Sequence, residues 1–239
     1  MTPSPGFLPF VLLSGRDAFW RDMASARLPW RGLLEMAAFV ACACSLYGVV
    51  LAGWRSPLLS LYVAAKLPLL FLGTTLLVAG FNWTIASILG SGLSFKSTLF
   101  AVFAAMAVGA WMLLALLPVV LFFLLSGVAR AGTHAELQYA HNSILVAHVL
   151  VLSLAGVAGN AALLGGLRRL VRPRCPAAAL FCGWLAAFAF VGCQLSWILR
   201  PFVGSPFFPV EFIRPDALDR NFYEFLFAEV VPFLLAGKP

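Results

Sequence analysis

Residues 98–125 read TLFAVFAAMAVGAWMLLALLPVVLFFLL, from Thr98 to Leu125, without one charged side chain. A helix at the surface of a soluble protein keeps a polar face toward water, so its apolar residues form a stripe. This stretch is apolar all the way round. It also exceeds the ~20 residues that a helix needs to cross the hydrocarbon of a bilayer. In hydrocarbon, backbone N–H and C=O groups must be satisfied internally, which only a helix or a closed barrel achieves. No run in the chain alternates with period two, so the barrel reading fails.

Four more runs of the same kind surround it, at residues 34–54, 58–89, 140–167 and 177–199. The whole chain of 239 residues is 62% apolar and 10% charged, and its mean hydropathy is +0.98. A soluble domain of this length needs far more polar surface. The expected fold is therefore an all-α, polytopic transmembrane helix bundle of about five spans. Amphipathic N-terminal and C-terminal interfacial helices are expected to flank it. Three parts follow: a cytoplasmic lead-in at 1–33, the bundle at 34–200, and an external Pro/Phe-rich tail at 201–239. Glu35 marks the first entry, and Trp54-Arg55-Ser56-Pro57 the first exit. Pro68 is expected to kink the long second span, and Pro118 lies inside the third. Gly90 to Ser94, Ser126 to Gly132 and Arg200-Pro201 are the remaining breaks.

The lead-in carries no cleavable signal pattern, because the apolar run at 7–13 is short and no basic residue precedes it. Ser14-Gly15-Arg16-Asp17 reads as a helix start, with Ser14 as the cap. Phe19, Trp20 and Met23 share one face and most charges lie elsewhere, which suits a helix in the membrane interface. Trp30 and Arg31 continue that interfacial character.

The chain holds 16 Lys+Arg against 9 Asp+Glu, a net charge of +7. The basic residues cluster in breaks between spans, which points to topology and anionic lipid rather than nucleic acid. With five spans, Arg16, Arg21, Arg27, Arg31, Lys96, Arg168, Arg169, Arg172 and Arg174 fall on one side. Arg55, Arg130, Arg200, Arg214, Arg220 and Lys238 fall on the other. Nine against six predicts a cytoplasmic N-terminus and an external tail.

In the tail, Pro201, Pro206, Pro209 and Pro215 exclude a long helix. Phe202, Phe207, Phe208 and Phe212 make it greasy. Pro215-Asp216 is expected to open a helix whose stripe is Leu218, Phe222, Phe225 and Leu226, with Pro232 ending it. Glu229 falls on that stripe, where it could meet a cation on a partner. Phe202, Phe207, Phe208, Phe212, Phe222 and Leu226 are the candidate partner-binding residues, because that much apolar surface needs a cover.

Few residues suggest chemistry. Lys66 lies ~12 Å into the second span, and an ionisable residue at depth is a functional candidate. His148 should sit at a similar depth on the fourth span. With Asn160 it could complete a polar intramembrane site around Lys66. Interhelical hydrogen bonding and snorkelling are the plainer uses of such residues. His134, His141 and His148 recur every seven residues, ~10.5 Å apart on one helix, too far for two to share a metal. Neither a metal nor a cofactor is expected. The five cysteines lack a CxxC and give no disulfide framework. Ala101, Ala105 and Gly109, and Gly156 with Gly159, offer ridges for close helix packing. Asn82-Trp83-Thr84 matches a glycosylation sequon but lies within the second span. No P-loop, zincin or nucleophile-elbow pattern occurs, so no enzyme is expected.

The order of parts resembles the Yip1-like membrane proteins, on Leu13-Ser14-Gly15-Arg16-Asp17-Ala18-Phe19-Trp20 and Leu28-Pro29-Trp30 ahead of the first span. The resemblance implies a cytoplasmic amphipathic lead-in and five spans. It transfers no functional residue, and the external tail departs from that layout. Leu199-Arg200-Pro201-Phe202-Val203-Gly204-Ser205-Pro206 is similar to a stretch in uncharacterised bacterial multipass proteins, which implies a bacterial inner membrane. The expected function is a non-enzymatic membrane subunit or scaffold. Its partners are the bilayer and other integral membrane proteins or itself, with no nucleic acid. A transporter or channel component built around Lys66 and His148 is the alternative, and an intramembrane lipid enzyme the third class.

Overall fold

The structure is a computed structural model that describes residues 7–14, 16–25, 27–126 and 132–236. Two short helices lead in, α1 (Leu8–Ser14) and α2 (Arg16–Ala24). Five long helices follow: α3 (Trp30–Ala52), α4 (Pro57–Ile88), α5 (Phe95–Leu125), α6 (His134–Leu170) and α7 (Ala177–Leu199). All five are long and apolar enough to cross a membrane. The described residues contain no strand. The chain is an all-α polytopic membrane protein.

Helix starts follow local chemistry more closely than apolar runs do. Ser56 caps α4 by accepting from the Leu59 N–H, and Ser94 caps α5 by accepting from the Ser97 N–H. Thr133 and Glu136 form a reciprocal capping box on α6, satisfying donors that the helix itself cannot. The fourth helix therefore begins at His134, well ahead of the apolar run that announces it. The helices continue past Pro68 and Pro118 without a break. The Arg130 break falls within residues 127–131 and Lys238 within 237–239, both outside the described residues.

α5 and α6 approach closely where small residues face each other. A Cβ on Gly159 would stand 2.7 Å from the Ala105 carbonyl oxygen, and one on Gly109 would stand 3.3 Å from that of Ala155. Ala105, Gly109 and Gly159 of the ridges read from the sequence form this contact, a close approach that lipid-embedded helices use to gain dispersion energy, whereas Gly156 is exposed and faces open space. α3 lies between α4 and α5, while α7 leans on α4 and touches α6 lightly.

The lead-in turns its apolar face to the bundle. Phe19, Trp20 and Met23 are buried, and the Trp20 ring abuts Gly166 of α6. The apolar face of α2 meets the protein, not lipid. Asp17 pairs with Arg169 at the end of α6. The cap expected at Ser14 involves side chains outside the described residues. The run at 7–13 forms α1, which buries Leu8 and Leu12. Trp111 donates its indole N–H to the Pro9 carbonyl at 2.9 Å, about 24 Å along α5 from its start. α1 thus lies beside the spans.

Beyond α7 the chain has no regular structure until α8 (Phe222–Phe225), followed by a π-helical turn (Leu226–Val230) and α9 (Val231–Ala236). This corrects the expected helix at both ends. Residues 215–219 form turns, and Asn221 caps the helix by accepting from the Glu224 N–H. Pro232 does not end it. Proline cannot donate to the carbonyl four residues back. The wider turn before it, in which the Val231 N–H reaches the Leu226 carbonyl, shifts the ladder and lets the helix continue.

Candidate functional site

The tail at 201–217 is an irregular backbone, and its carbonyls need donors from elsewhere. The helical bundle provides them from side chains. Lys66 is fully buried and donates from Nζ to the Pro201 carbonyl at 2.9 Å. The Phe212 ring centroid lies 5.2 Å from that ammonium and the Phe202 centroid 6.0 Å, within cation–π range. Trp54 donates its indole N–H to the Val203 carbonyl at 2.9 Å. Arg55 donates from Nε to the Ser205 carbonyl at 3.1 Å and from Nη2 to the Pro206 and Phe208 carbonyls. Gly204 takes φ of +71° and presses on Leu59, leaving no room for a Cβ. Tyr62 meets Phe212 edge-on at 5.3 Å, and His134 stacks on Phe207 at 4.0 Å.

The far end of the tail is held by charge. Asp216 accepts from Arg200 at 3.2 Å and pairs with Arg214 at 3.0 Å. Desolvation pushes the Asp216 carboxyl up, but the neighbouring Arg214 and Arg200 outweigh it and hold it below the ordinary carboxylate range. The Arg200 guanidinium lies 3.6 Å from the Trp197 ring centroid. Between tail and bundle sits a pocket of about 480 Å³, walled by Arg55, His141, Glu211, Arg214 and Asp216 among apolar neighbours. Much of its charge is committed: Arg55 to carbonyls, and Asp216 to two arginines. The arrangement fixes a backbone.

The intramembrane trio does not converge. His148 and Tyr47 are buried, with His148 Nδ1 2.7 Å from the Tyr47 hydroxyl. Asn160 donates to the Gly156 carbonyl on its own helix at 2.9 Å. Lys66 serves the tail. Among the described residues no hydrogen bond joins the three, so the expected Lys66–His148 pair is replaced by two separate contacts. A buried charge takes the nearest strong acceptor, and a carbonyl freed by proline-rich backbone is one.

The six candidate contact residues divide. Phe202 packs on the bundle's core; Phe207 and Phe212 touch His134 and Tyr62 yet remain exposed, as does Phe208, with the Arg214 guanidinium 5.8 Å from its ring centroid. Phe222 meets Trp197 at 6.4 Å. Leu226 opens the π-helical turn, half-buried. Glu229 finds its cation within the chain, at 2.6 Å from Arg220. α8 is moored below the end of α7. The Phe222 N–H donates to Gln194 Oε1 at 3.0 Å, and the Tyr223 hydroxyl donates to the Phe190 carbonyl at 2.6 Å. Those α7 residues lie about 8 and 14 Å along the helix from Leu199.

One residue was passed over in the sequence. Asn82, read only as an idle sequon, is buried and lines a second cavity of about 150 Å³ at the centre of the bundle. A polar residue in mid-span was the available signal. No family model, curated protein or solved structure matches this chain. The Yip1-like resemblance stands on segment order alone.

Proposed function

We propose that this chain is a non-enzymatic subunit of a membrane assembly, and that its terminal helix binds another integral membrane protein. One observation carries the reading, the course of the chain after Phe225. α9 continues directly from the π-helical turn and is not packed against the five long helices. Phe227, Phe233, Leu234 and Leu235 stand exposed, Leu235 at 84%. The acidic groups of this segment are answered locally, Glu229 by Arg220 and Glu224 by Asn221. α8 starts beside Gln194 and Phe190 of α7, a helix long and apolar enough to span, which supports a partner that meets it within the membrane. Separate partners for Lys66, His148 and Asn160 favour this reading over a transport pathway.

The test is a photoreactive side chain at Leu234 in native membranes. The expected product is a covalent adduct with another membrane protein, lost when Phe233 and Leu235 become serine. Adducts with lipid alone would make the helix an anchor and overturn the proposal. The orientation proposed is N-inside and C-outside, from the division of Lys and Arg. In a background without other cysteines, Asp219→Cys should react with an external impermeant thiol reagent and Arg174→Cys should not.

A further inference from the structure

The central cavity has walls from α3, α4, α5, α6 and α7. Among the described residues no Lys, Arg, Asp, Glu or His lines it. Its polar side chains are Asn160, whose amide donates to the Gly156 carbonyl on its own helix, and Asn82, 2% exposed, whose Oδ1 has no hydrogen-bond partner in the protein. The neighbouring Trp184 donates its indole N–H to the Asn82 main-chain oxygen at 2.7 Å, which leaves the side-chain oxygen over. A buried acceptor without a donor is costly, most of all where water is scarce. The cavity is open at one side. α7 touches α6 only lightly, and the lining residues Gly156 and Leu185 are exposed at that edge.

We infer that this cavity binds a neutral, membrane-dissolved aliphatic alcohol, its hydroxyl donating to Asn82 Oδ1 and its chain leaving between α6 and α7. The acceptor demands a donor. Absence of charge on the walls excludes an ionic headgroup, which would be left unpaired. An apolar cavity of this volume takes up a molecule about the size of benzene, enough for the hydroxyl and the first carbons. The remaining chain stays in lipid, which also concentrates the ligand. The inference is independent of the subunit reading, because it concerns the bundle and not the tail.

The probe is decan-1-ol carrying a diazirine near its hydroxyl, applied to the full-length protein in lipid nanodiscs. Saturable labelling is expected on the α6 and α7 walls, between Leu152 and Leu163 and between Trp184 and Phe188. Unlabelled decan-1-ol should compete about five- to tenfold better than decane, the worth of one neutral hydrogen bond. Asn82→Leu should erase that preference while the Trp184 bond, made to main chain, survives. Gly156→Leu should abolish labelling, since a Cβ there meets nothing within 4 Å and the added side chain fills the cavity. Should a variant fail to fold, competition on the natural protein still decides. Equal competition by alcohol and alkane, or labelling spread over all lipid-facing helices, overturns the inference.

Discussion

The two ends of the bundle solve one problem in opposite ways. At the N-terminal end, α1 and α2 are helical, so their backbone groups are satisfied internally and their side chains are free to bury. Leu8, Leu12, Phe19, Trp20 and Met23 all do so. At the other end, prolines keep the tail from forming a helix, and its carbonyls are satisfied by Lys66, Trp54 and Arg55 from the bundle. One end is held by packing and the other by donors. Packing couples a segment to the whole core, whereas a row of hydrogen bonds can be released alone. The lead-in should therefore fail together with the bundle, and the tail should fail by itself.

The largest expected effect tests the first half. Trp20→Ala removes a buried indole from the space beside Gly166 and should cost about 3 kcal/mol of global stability. Thermal unfolding in detergent should show one transition at lower temperature for the whole protein. Loosening of residues 8–24 with an unchanged melting temperature would break the comparison.

Lys66→Met tests the second half. It leaves the Pro201 carbonyl buried without its charged donor, a loss of about 1.5–3 kcal/mol. Proteolysis or hydrogen exchange across 201–217 should accelerate ten- to a hundredfold while the melting of the five helices stays put. Trp54→Phe removes one neutral donor, to Val203, and should give a weaker form of the same release, near 1 kcal/mol. If either change lowers the stability of the entire bundle, the tail is part of the core and the distinction collapses.

The two ends were not equally legible. The five spans are visible in the chain because hydrocarbon forces apolar runs, and a run such as 98–125 has no other solvent. The small-residue faces of α5 and α6 were visible in Ala105, Gly109 and Gly159, though not that they meet each other. What the sequence hid was pairing. Lys66 and His148 are expected at similar depths, and nothing in either run says that one takes a tail carbonyl and the other takes Tyr47. Pro232 misled because a proline reads as a stop, while a π-helical turn just before it absorbs the missing donor. Asn82 was hidden for a different reason. Its role depends on a gap among five helices, and a gap has no residue of its own to be read.

The smallest expected effect is acid release of the tail's far end. Asp216 has its carboxyl held below the ordinary value by Arg214 and Arg200 in the folded state. Stability from this pair is present above the ordinary carboxylate value, and is lost as pH falls through the lower folded one. The direction is therefore loosening in acid, with no change on the alkaline side. The effect is small because the pair is partly solvated. Arg200 also keeps its contact with the Trp197 ring when Asp216 is neutral. Hydrogen exchange at 214–220 should rise below that pH while 201–208 stays protected by Lys66 and Arg55. Asp216→Asn should erase the pH step and leave neutral-pH exchange slightly raised. Release of both stretches together would mean that the tail moves as one piece, held more by its charged clasp than by the donors beneath it.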